Sequence, residues 1–351
     1  MAIRPLRLQK LRDSGDGITT IENKGVSNAS SLRRKQPDLS LSIFVIGMRG
    51  AGKTTTGRWI ASSLSRAFLD LDHDLETRLG LSCSDIVRQR GWEAFREAEL
   101  NVLADSMQNR STGYVFSCGG GIVETQEARQ LLKSWPGLVM QVSRDTDAMV
   151  EYLMIDKTRP VYSEQIRQVY ERRKPFLEDL SDVLHLSTQR QVKEDCKPPQ
   201  DLLLFLDRLY GEVSGHKAEL LLVKNPLQVW DVSSPELQQQ QQHPKATKHH
   251  VTNIPNCEAL CLRISLNEPL SLDSLAVHIA KLRSATSMPF LLSLEELRTP
   301  QFGPIASICR LADRMRVEMV AISSDTAAMD WNTLQRDCAF TQIVTTEDRD
   351  N

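Results

Sequence analysis

Residues 47–54 read Gly47-Met48-Arg49-Gly50-Ala51-Gly52-Lys53-Thr54, and this stretch decides the fold of the first half of the chain. It fits the pattern G-x-x-x-x-G-K-[ST] and follows the apolar run 41–46, which is typical of a buried strand. The residues after Thr54 contain no proline and carry an apolar face, which predicts a helix. A strand, a glycine-rich loop and a helix in this order predict a phosphate-binding loop.

The loop offers several ligands to a nucleotide. Its glycines let backbone N–H groups face phosphate oxygens, Lys53 adds a positive charge, and the Thr54 hydroxyl can join the shell of a magnesium ion. We expect phosphate contacts from nine residues: Gly47, Met48, Arg49, Gly50, Ala51, Gly52, Lys53, Thr54 and Thr55. The alternative is a glycine-rich turn that matches the pattern by chance.

Length and composition favour a protein of two domains. The chain has 351 residues, a formal charge of −2 and seven scattered cysteines without a CxxC pair. The charge gives no indication of nucleic-acid or membrane binding, and no apolar run is long enough to cross a bilayer. The cysteines favour free thiols over disulfides or a zinc site, so we expect a nuclear or cytoplasmic protein.

Changes in composition divide the chain into four parts. Residues 1–40 are basic and polar, and they read as a disordered leader, a basic contact arm or an organelle transit peptide, of which we favour the first. Residues 41–188 alternate apolar runs with helical patterns, which predicts an α/β domain with a mostly parallel sheet. Residues 189–218 read as a linker and a helix. Residues 219–351 form a second α/β pattern, too short to close an eight-stranded barrel.

The pattern of apolar residues predicts individual elements. The predicted strands are 41–47, 67–71, 114–118, 138–143 and 183–187, followed by 220–223, 259–264, 289–294 and 317–322. The predicted helices are 55–64, 75–79, 93–107, 127–132, 201–210, 272–284 and 305–315.

Polar and small residues follow two of the predicted strands. Asp70 and Asp72 end the second strand, and strand alternation would place both carboxylates on one face at the carboxyl edge of the sheet. One could hold a metal ion through water while the other receives a proton from a substrate hydroxyl. The alternative is an acidic turn in which an aspartate caps a helix. Gly119, Gly120 and Gly121 follow the third strand, where they either admit a small ligand or form a tight turn.

Three basic segments complete the candidate site. Arg96, flanked by glutamates on a predicted helix, is either a surface ion pair or a clamp for a substrate carboxylate. Arg159 lies in the segment 156–160, which could close over a transferring phosphoryl group. Arg173 ends a helix, where a basic residue also favours the helix dipole and needs no ligand.

Taken together, residues 41–187 resemble the shikimate kinase family. The shared features are the phosphate loop, the D-x-D pair, F-R-x-x-E, the glycine turn, T-R-P and R-x-P, in this order and spacing. The resemblance implies a P-loop kinase-type parallel sheet with helices on both faces, and ATP with Mg²⁺ as cofactors. The implied metal ligands are Thr54 and Asp70, and the implied catalytic residues are Lys53, Asp72 and Arg159. The implied substrate contacts are Asp72, Arg96, Gly119, Gly120, Gly121 and Arg173. The chain departs from many relatives between residues 146 and 157, where it lacks an arginine that stacks on adenine.

Residues 219–351 resemble the start of a type I 3-dehydroquinase barrel, which implies a partial (β/α) barrel-like domain. Where that family has acids or an arginine, this chain has Cys261, Ser265, Glu295, Ala321 and Ser323. Arg263 is kept, but the chain ends before the family's catalytic histidine and Schiff-base lysine. Replacing an arginine by glutamate reverses the charge in an anion site and opposes binding, so we expect no dehydroquinase activity.

Two fungal families join such domains in this order. The pentafunctional arom polypeptide places two enzyme domains upstream, whereas the quinate repressor family begins with the kinase-like domain and carries decayed enzymes behind it. The chain therefore resembles the repressor family, which implies sensing of a quinate- or shikimate-type metabolite and inactivation of a transcription activator by protein contact. No helix-turn-helix or zinc-finger pattern occurs, so we expect no direct nucleic-acid binding. The alternatives are an active shikimate kinase that phosphorylates the 3-hydroxyl of shikimate, and a truncated piece of a longer repressor.

Overall fold

The computed structural model describes most of the first half of the chain and parts of the second. The described residues are 4–6, 36–144, 166–187, 197–210, 227–231, 259–265, 271–285, 290–295, 302–323, 330, 333–334 and 337–346. The chain forms two compact units, one spanning 37–217 and the other combining 1–36 with 218–351. Within the described ranges, no helix has the length and apolar character that a membrane span requires.

The first unit is an α/β domain around a five-stranded parallel sheet in the order β3-β4-β2-β5-β6. Strand β1 (Arg4–Leu6) belongs to the second unit and is described with it. The strands of the first unit are β2 (Ile43–Ile46), β3 (Ala67–Asp70), β4 (Tyr114–Ser117), β5 (Val139–Arg144) and β6 (Val183–Ser187). All five predicted strands are confirmed, each within two residues.

Six helices in the described part of this unit accompany the sheet. They are α1 (Lys53–Ser63), α2 (Leu71–Leu79), α3 (Cys83–Asn109), α4 (Gln126–Ser134), α5 (Ile166–Leu180) and α6 (Gln200–Tyr210). Helix α3 consists of two helical segments that meet at Gly91, whose φ of 83° lies in the left-handed region that glycine adopts without strain. The sequence predicted only the second of these two segments.

The central strand is buried on both of its faces. Phe44 and Ile46 belong to a core that includes Phe116 of β4 and helix residues such as Phe95 and Leu132. The alternate residues of the same strand, at positions 43 and 45, face the opposite side and are also buried. Apolar strands covered on both sides are what a parallel sheet between two helical layers requires. The predicted P-loop kinase-type sheet with helices on both faces is confirmed.

The second unit contains a six-stranded sheet in the order β1-β7-β8-β9-β10-β11. Its other strands are β7 (Leu227–Asp231), β8 (Ala259–Ser265), β9 (Phe290–Glu295), β10 (Met319–Ser323) and β11 (Gln342–Thr346), with helices α7 (Leu272–Ala285) and α8 (Phe302–Arg314). Strands β7 to β11 are parallel neighbours in chain order, and β1 pairs antiparallel with β7. Sequential parallel strands with helices between them fit a partial (β/α) barrel-like domain.

The sequence did not predict β7 or β11, and the predicted strand 220–223 lies outside the described residues.

A buried carboxylate holds the segment that leads into β11. Asp313 of α8 is almost fully buried and accepts backbone N–H hydrogen bonds from Ala339, Phe340 and Thr341 at 3.0, 2.6 and 2.7 Å. Because the three amides lie beside one another in sequence, a single side chain fixes the path of this turn. Asp313 therefore ties the last described strand to the body of the unit.

Candidate functional site

The candidate site lies where the strand order of the first sheet reverses. From β2 the chain runs through α1 to β3, at one edge of the sheet. From β4 it runs through α4 in the opposite direction, past β2, to β5. Adjacent parallel strands whose connections diverge leave a crevice at their carboxyl ends, where ligands of open α/β sheets bind. The phosphate loop follows β2 and the glycine turn 119–121 follows β4, so both enter this crevice.

The phosphate loop depends on glycine at its start and at its end. A Cβ atom at Gly47 would collide with the carbonyl oxygen of Val142 in β5. Gly52 has a φ of 90° and is the N-cap of α1, which begins at Lys53. The first N–H groups of α1 therefore belong to a helix start without a capping side chain, and such a start favours an anion.

Lys53 is folded back onto its own loop. Its side chain is 8% exposed, and its Nζ donates a hydrogen bond to the carbonyl oxygen of Met48 at 3.0 Å. The ammonium group is thereby held against the backbone of the phosphate loop. Arg144, at the end of β5, adds a second buried cation and donates to the carbonyl oxygen of Gly50 at 3.4 Å. The sequence reasoning did not single out Arg144, although its position at a strand end was visible.

Thr54 and Asp70, the two residues predicted as metal ligands, are hydrogen-bonded to each other. The Thr54 hydroxyl donates to Asp70 Oδ2 at 2.8 Å. A hydroxyl and a carboxylate at this separation are the oxygen donors that Mg²⁺ takes together with water and phosphate oxygens. The two residues therefore fit a magnesium ion, and they are the described groups that would hold it.

The structure corrects the prediction that Asp70 and Asp72 share one face of a strand. Strand β3 ends at Asp70, which is the N-cap of α2: its Oδ1 accepts a hydrogen bond from the backbone N–H of Asp72 at 3.1 Å. Asp72 lies in the first turn of α2 and lines a cleft beside the loop. The alternative interpretation, an aspartate that caps a helix, is correct for Asp70, because a helix rather than a strand continues the chain.

The cleft beside the phosphate loop encloses about 460 Å³ when the open space at its mouth is included. Ten residues line it: Arg49, Asp72, Cys83, Trp92, Phe95, Arg96, Glu99, Gly119, Gly120 and Gly121. Two cations, two carboxyl groups and two aromatic rings thus surround a space suited to a small polar molecule. Of the predicted substrate residues, Asp72, Arg96 and the three glycines are brought together here.

Arg96 is held in place by a buried partner and by aromatic rings. Its guanidinium NH1 lies 2.6 Å from Glu99 Oε2, and its guanidinium carbon lies 5.3 Å from the ring centres of both Trp92 and Phe95. Trp92 is 43% exposed at the start of the helical segment that follows Gly91. Arg96 is therefore a fixed cation in the cleft wall, and the surface ion pair considered from the sequence does not describe it.

Glu99 is the site residue that the sequence reasoning left without a role, although it belongs to the F-R-x-x-E motif. Its side chain is 5% exposed, and its Oε1 has no hydrogen-bond partner among the described residues. Burial raises the pKa of Glu99 to about 7, the charges of Arg96 and Arg173 oppose this rise, and the charge of Asp72 adds to it. Glu99 could have been found in the sequence, because it lies three residues after Arg96 in F-R-x-x-E. Its raised pKa could not, because that depends on burial in the folded structure.

Each glycine of the turn after β4 meets a different neighbour. A Cβ atom at Gly119 would lie 2.6 Å from Asp72 Oδ1 and would collide with Glu99. At Gly120 a Cβ atom would lie 2.8 Å from the backbone nitrogen of Arg49, and at Gly121 it would collide with the guanidinium of Arg96. The turn is thus packed directly between the phosphate loop and the charged wall of the cleft, and no larger residue fits without movement.

Arg173 holds the glycine turn and does not line the cleft. It is 2% exposed, its Nε donates to Glu124 Oε1 at 2.6 Å, and its NH1 donates to the carbonyl oxygen of Gly120 at 2.9 Å. Arg172 also donates to Glu124, whose pKa is lowered by the positive charges of the two arginines although partial burial acts in the opposite direction. The described hydrogen bonds of Arg173 therefore support the cleft indirectly, by holding the glycine turn that lines it.

Some predicted residues cannot be compared with the structure. Arg159 and the rest of the segment 156–160 lie outside the described residues. In the second unit, the backbone places Ser265, Glu295 and Ser323 at the carboxyl ends of β8, β9 and β10, and Ser265 is in register with Glu295. No group of three or more His, Cys, Asp or Glu residues suited to a metal ion occurs in the described ranges.

The fold and the site define a class of protein: a P-loop kinase-type α/β domain in which the phosphate loop adjoins a cleft lined by charged and aromatic side chains. Comparison with family models then narrows this class. Residues 49–201 match the family model of shikimate kinase. The first unit is therefore shikimate kinase-like.

Solved shikimate kinases are similar to this chain. The enzyme from Acinetobacter baumannii, in complex with shikimate, is 28% identical and covers 42% of this chain and 84% of its own, with a TM-score of 0.40. The enzyme from Bacteroides thetaiotaomicron is 26% identical and covers 45% and 91% of the two chains, with a TM-score of 0.39. The enzyme from Aquifex aeolicus is 24% identical and covers 48% and 99%, with a TM-score of 0.38.

Proposed function

We propose that this protein is a metabolite-sensing regulator of the quinate repressor type, and that its shikimate kinase-like unit binds a shikimate- or quinate-type carboxylate. The observation that carries the proposal is the cleft itself, in which Arg96, Asp72 and the glycine turn converge directly beside a phosphate loop. A small molecule with one carboxylate and several hydroxyl groups offers a partner to each of these groups. The shape and charge of the cleft therefore favour a polyhydroxylated monocarboxylate.

The cleft formed by Arg96, Asp72 and the glycine turn would hold the ligand by the ligand's carboxylate and hydroxyl groups. Arg96 presents a guanidinium to a carboxylate and is kept rigid by Glu99 and two rings. Asp72 presents a carboxylate that can accept hydrogen bonds from hydroxyl groups. The turn 119–121 admits the ligand close to the backbone, and Arg173 supports the turn through the Gly120 carbonyl.

The nucleotide side would hold ATP by its phosphates. The start of α1 and Lys53 would bind phosphate oxygens, and Thr54 with Asp70 would hold Mg²⁺. When bound, ATP and Mg²⁺ supply the transferable phosphoryl group and neutralise its charge. Arg159 is proposed to reach the phosphates from the segment 156–160.

The regulatory role rests on the second unit. Its parallel strands end in Ser265, Glu295 and Ser323, at the edge where (β/α) domains bind ligands, and none of these residues is the acid or arginine that dehydroquinase chemistry needs. A unit that keeps such a fold without its chemistry is suited to protein contact. We propose a transcription activator as its partner, in the nucleus or cytoplasm, without direct contact to nucleic acid.

An active shikimate kinase is the second candidate. It is favoured by one specific observation: Asp72 lines the cleft from the first turn of α2, directly beside the phosphate loop that carries Lys53. Asp72 could then receive the proton of the acceptor hydroxyl as the phosphoryl group transfers from ATP to that oxygen.

Binding and turnover separate the two candidates. Calorimetry with shikimate and with quinate is expected to detect binding that Arg96→Ala and Asp72→Asn abolish. The matched control is Arg88→Ala, which removes an exposed arginine of the same helix. Unchanged affinity in Arg96→Ala and Asp72→Asn would contradict the site assignment.

A coupled assay of ADP release with ATP and shikimate then compares the wild type with Lys53→Ala. Ligand binding without turnover supports the sensor. Turnover that depends on Lys53 supports the kinase instead.

A further inference from the structure

The carboxyl group of Glu99 is a buried titratable group, and the proposed function uses it only to hold Arg96 and gives its protonation no role. Its Oε2 pairs with Arg96, whereas its Oε1 is buried without a hydrogen-bond partner among the described residues. A fully ionised carboxylate in such a place loses hydration that only one partner replaces. A protonated carboxyl group would lose much less, so the protonation state of Glu99 is open to influence from its neighbours.

The neighbours of Glu99 come from four elements of the first unit. Arg96 lies one turn earlier on α3, Asp72 lies on α2, Arg173 lies on α5, and the thiol of Cys118 directly follows β4. The Cys118 thiol is neutral, because burial and nearby carboxylates raise its pKa. The electrostatic balance at Glu99 therefore depends on two arginines and on Asp72.

A carboxylate ligand would change this balance. If it binds Arg96 as proposed above, the guanidinium must serve the ligand and Glu99 at once, with Asp72 close by. Three carboxylates would then share Arg96, the more distant Arg173 and Arg49, which is the other cation that lines the cleft. Like charges in such a site favour protonation of one of the acids.

We propose that Glu99 takes up one proton from solvent when a carboxylate ligand binds Arg96, so that ligand binding and protonation of Glu99 are a single linked event. The inference rests on the proposed function of the cleft. The ligand remains an anion, the proton moves from the buffer to the Glu99 carboxylate, and no bond of the ligand changes. Glu99 is thus a positioning residue that acts through Arg96.

The pKa of Glu99 makes the linkage measurable near neutral pH. In the free protein burial raises this pKa to about 7, and a further negative charge on Arg96 raises it again. At pH 7.5 about three quarters of the free protein has Glu99 ionised, so binding takes up about 0.7 proton. As the pH rises above the pKa of the free protein, ligand affinity falls by up to about tenfold per pH unit.

Calorimetry with shikimate at pH 7.5, without nucleotide, in buffers of different ionisation enthalpy measures the proton uptake directly. The slope of binding enthalpy against buffer enthalpy is expected to be about 0.7 proton for the wild type and zero for Glu99→Gln. At pH 8.5 Glu99→Gln is expected to bind shikimate more tightly than the wild type, because the competing charge on Arg96 is absent. The matched control is Glu97→Gln, which removes an exposed glutamate of the same helix and should keep the wild-type slope.

The uncharged amide of shikimate gives a second measurement that needs no variant. It should bind the wild type without proton uptake, because it adds no charge beside Arg96. Shikimate binding with the same enthalpy in every buffer would overturn this inference and leave the proposed function standing. Uptake that persists in Glu99→Gln or with the amide would also overturn it. Absence of shikimate binding by the wild type would overturn the proposed function together with this inference.

Discussion

The two units carry parallel strands that end in very different chemistry. In the first unit, the carboxyl ends of β2, β3 and β4 lead into the phosphate loop, Asp70 and the glycine turn, whose polar groups contact one another. In the second unit, the strand ends at residues 265, 295 and 323 are two serines and one glutamate. A buried carboxylate of this unit, Asp313, instead lies on a helix and accepts hydrogen bonds from three backbone amides. The comparison separates a unit whose polar strand ends converge beside a cleft from one in which a buried carboxylate maintains the fold.

The largest expected effect tests the structural role of Asp313. Asp313→Ala removes one acceptor from three backbone N–H groups, so we expect a loss of about 4 kcal/mol in the free energy of unfolding of the second unit. Denaturant unfolding measures this loss. The control Asp273→Ala, at an exposed position of α7, should change stability by less than about 1 kcal/mol. Loss of shikimate binding in Asp313→Ala would contradict the separation of the two units.

The next effect concerns the stability of the first unit as a function of pH. Because folding raises the pKa of Glu99 to about 7, the folded state binds an extra proton between the unfolded pKa and pH 7. The resulting stability is fully present below about pH 4.5 and is lost as the pH rises to 7, a change of about 3 kcal/mol. Glu99→Gln should remove this slope in urea unfolding curves without ligand, and Glu97→Gln should keep it. If the free energy of unfolding of Glu99→Gln changed with pH as in the wild type, a group other than Glu99 would bind the proton.

A substitution in the glycine turn should abolish much of the ligand affinity. In Gly121→Ala the new methyl group meets the guanidinium of Arg96, so we expect shikimate to bind about a hundredfold more weakly, equivalent to about 2.7 kcal/mol. Titration calorimetry provides the measurement. Gly303→Ala in the second unit is the matched control, because a Cβ atom there meets no atom within 4 Å. Equal affinities of the two variants would mean that the turn does not shape the cleft.

The last substitution is expected to leave the protein without dehydroquinase activity, and it is the smallest effect. Glu295→Arg restores the charge expected at the end of β9, but residues 265 and 323 remain serines, so no dehydroquinase turnover should follow. A spectrophotometric assay with 3-dehydroquinate gives the readout. Turnover in this variant that disappears on a further Arg263→Ala change would show that the second unit retains a catalytic site.

Much of the first unit could be predicted from the sequence because its signals are local. Apolar runs gave all five strands, and the loop 47–54 defined the crevice. The prediction that Asp70 and Asp72 share one face of a strand was wrong. It continued the strand alternation beyond Asp70, which is the N-cap of a helix. The strand β11 was missed although Ile343 and Val344 are typical strand residues, since the pattern ends so close to the end of the chain.

Other features of the site could not be read from sequence in principle. The altered pKa of Glu99 follows from burial, and the contact of Arg173 with the Gly120 carbonyl joins residues 53 positions apart. Both depend on tertiary packing, which the spacing of residues along the chain does not specify. The motif F-R-x-x-E contains both residues of the buried Arg96–Glu99 pair, but the prediction gave a role to Arg96 alone.

The three glycines after β4 also limit how this chain can change by mutation. Each is confined by different residues: Gly119 by Asp72 and Glu99, Gly120 by the backbone of Arg49, and Gly121 by Arg96. A single replacement at any of them meets a collision: side-chain ends must move at Gly119 and Gly121, and the backbone of the phosphate loop must move at Gly120. Lys53 or Asp72 can be replaced one at a time without such a collision. A lineage descended from this protein would therefore lose the Lys53 ammonium or the Asp72 carboxylate long before it lost the shape of the cleft.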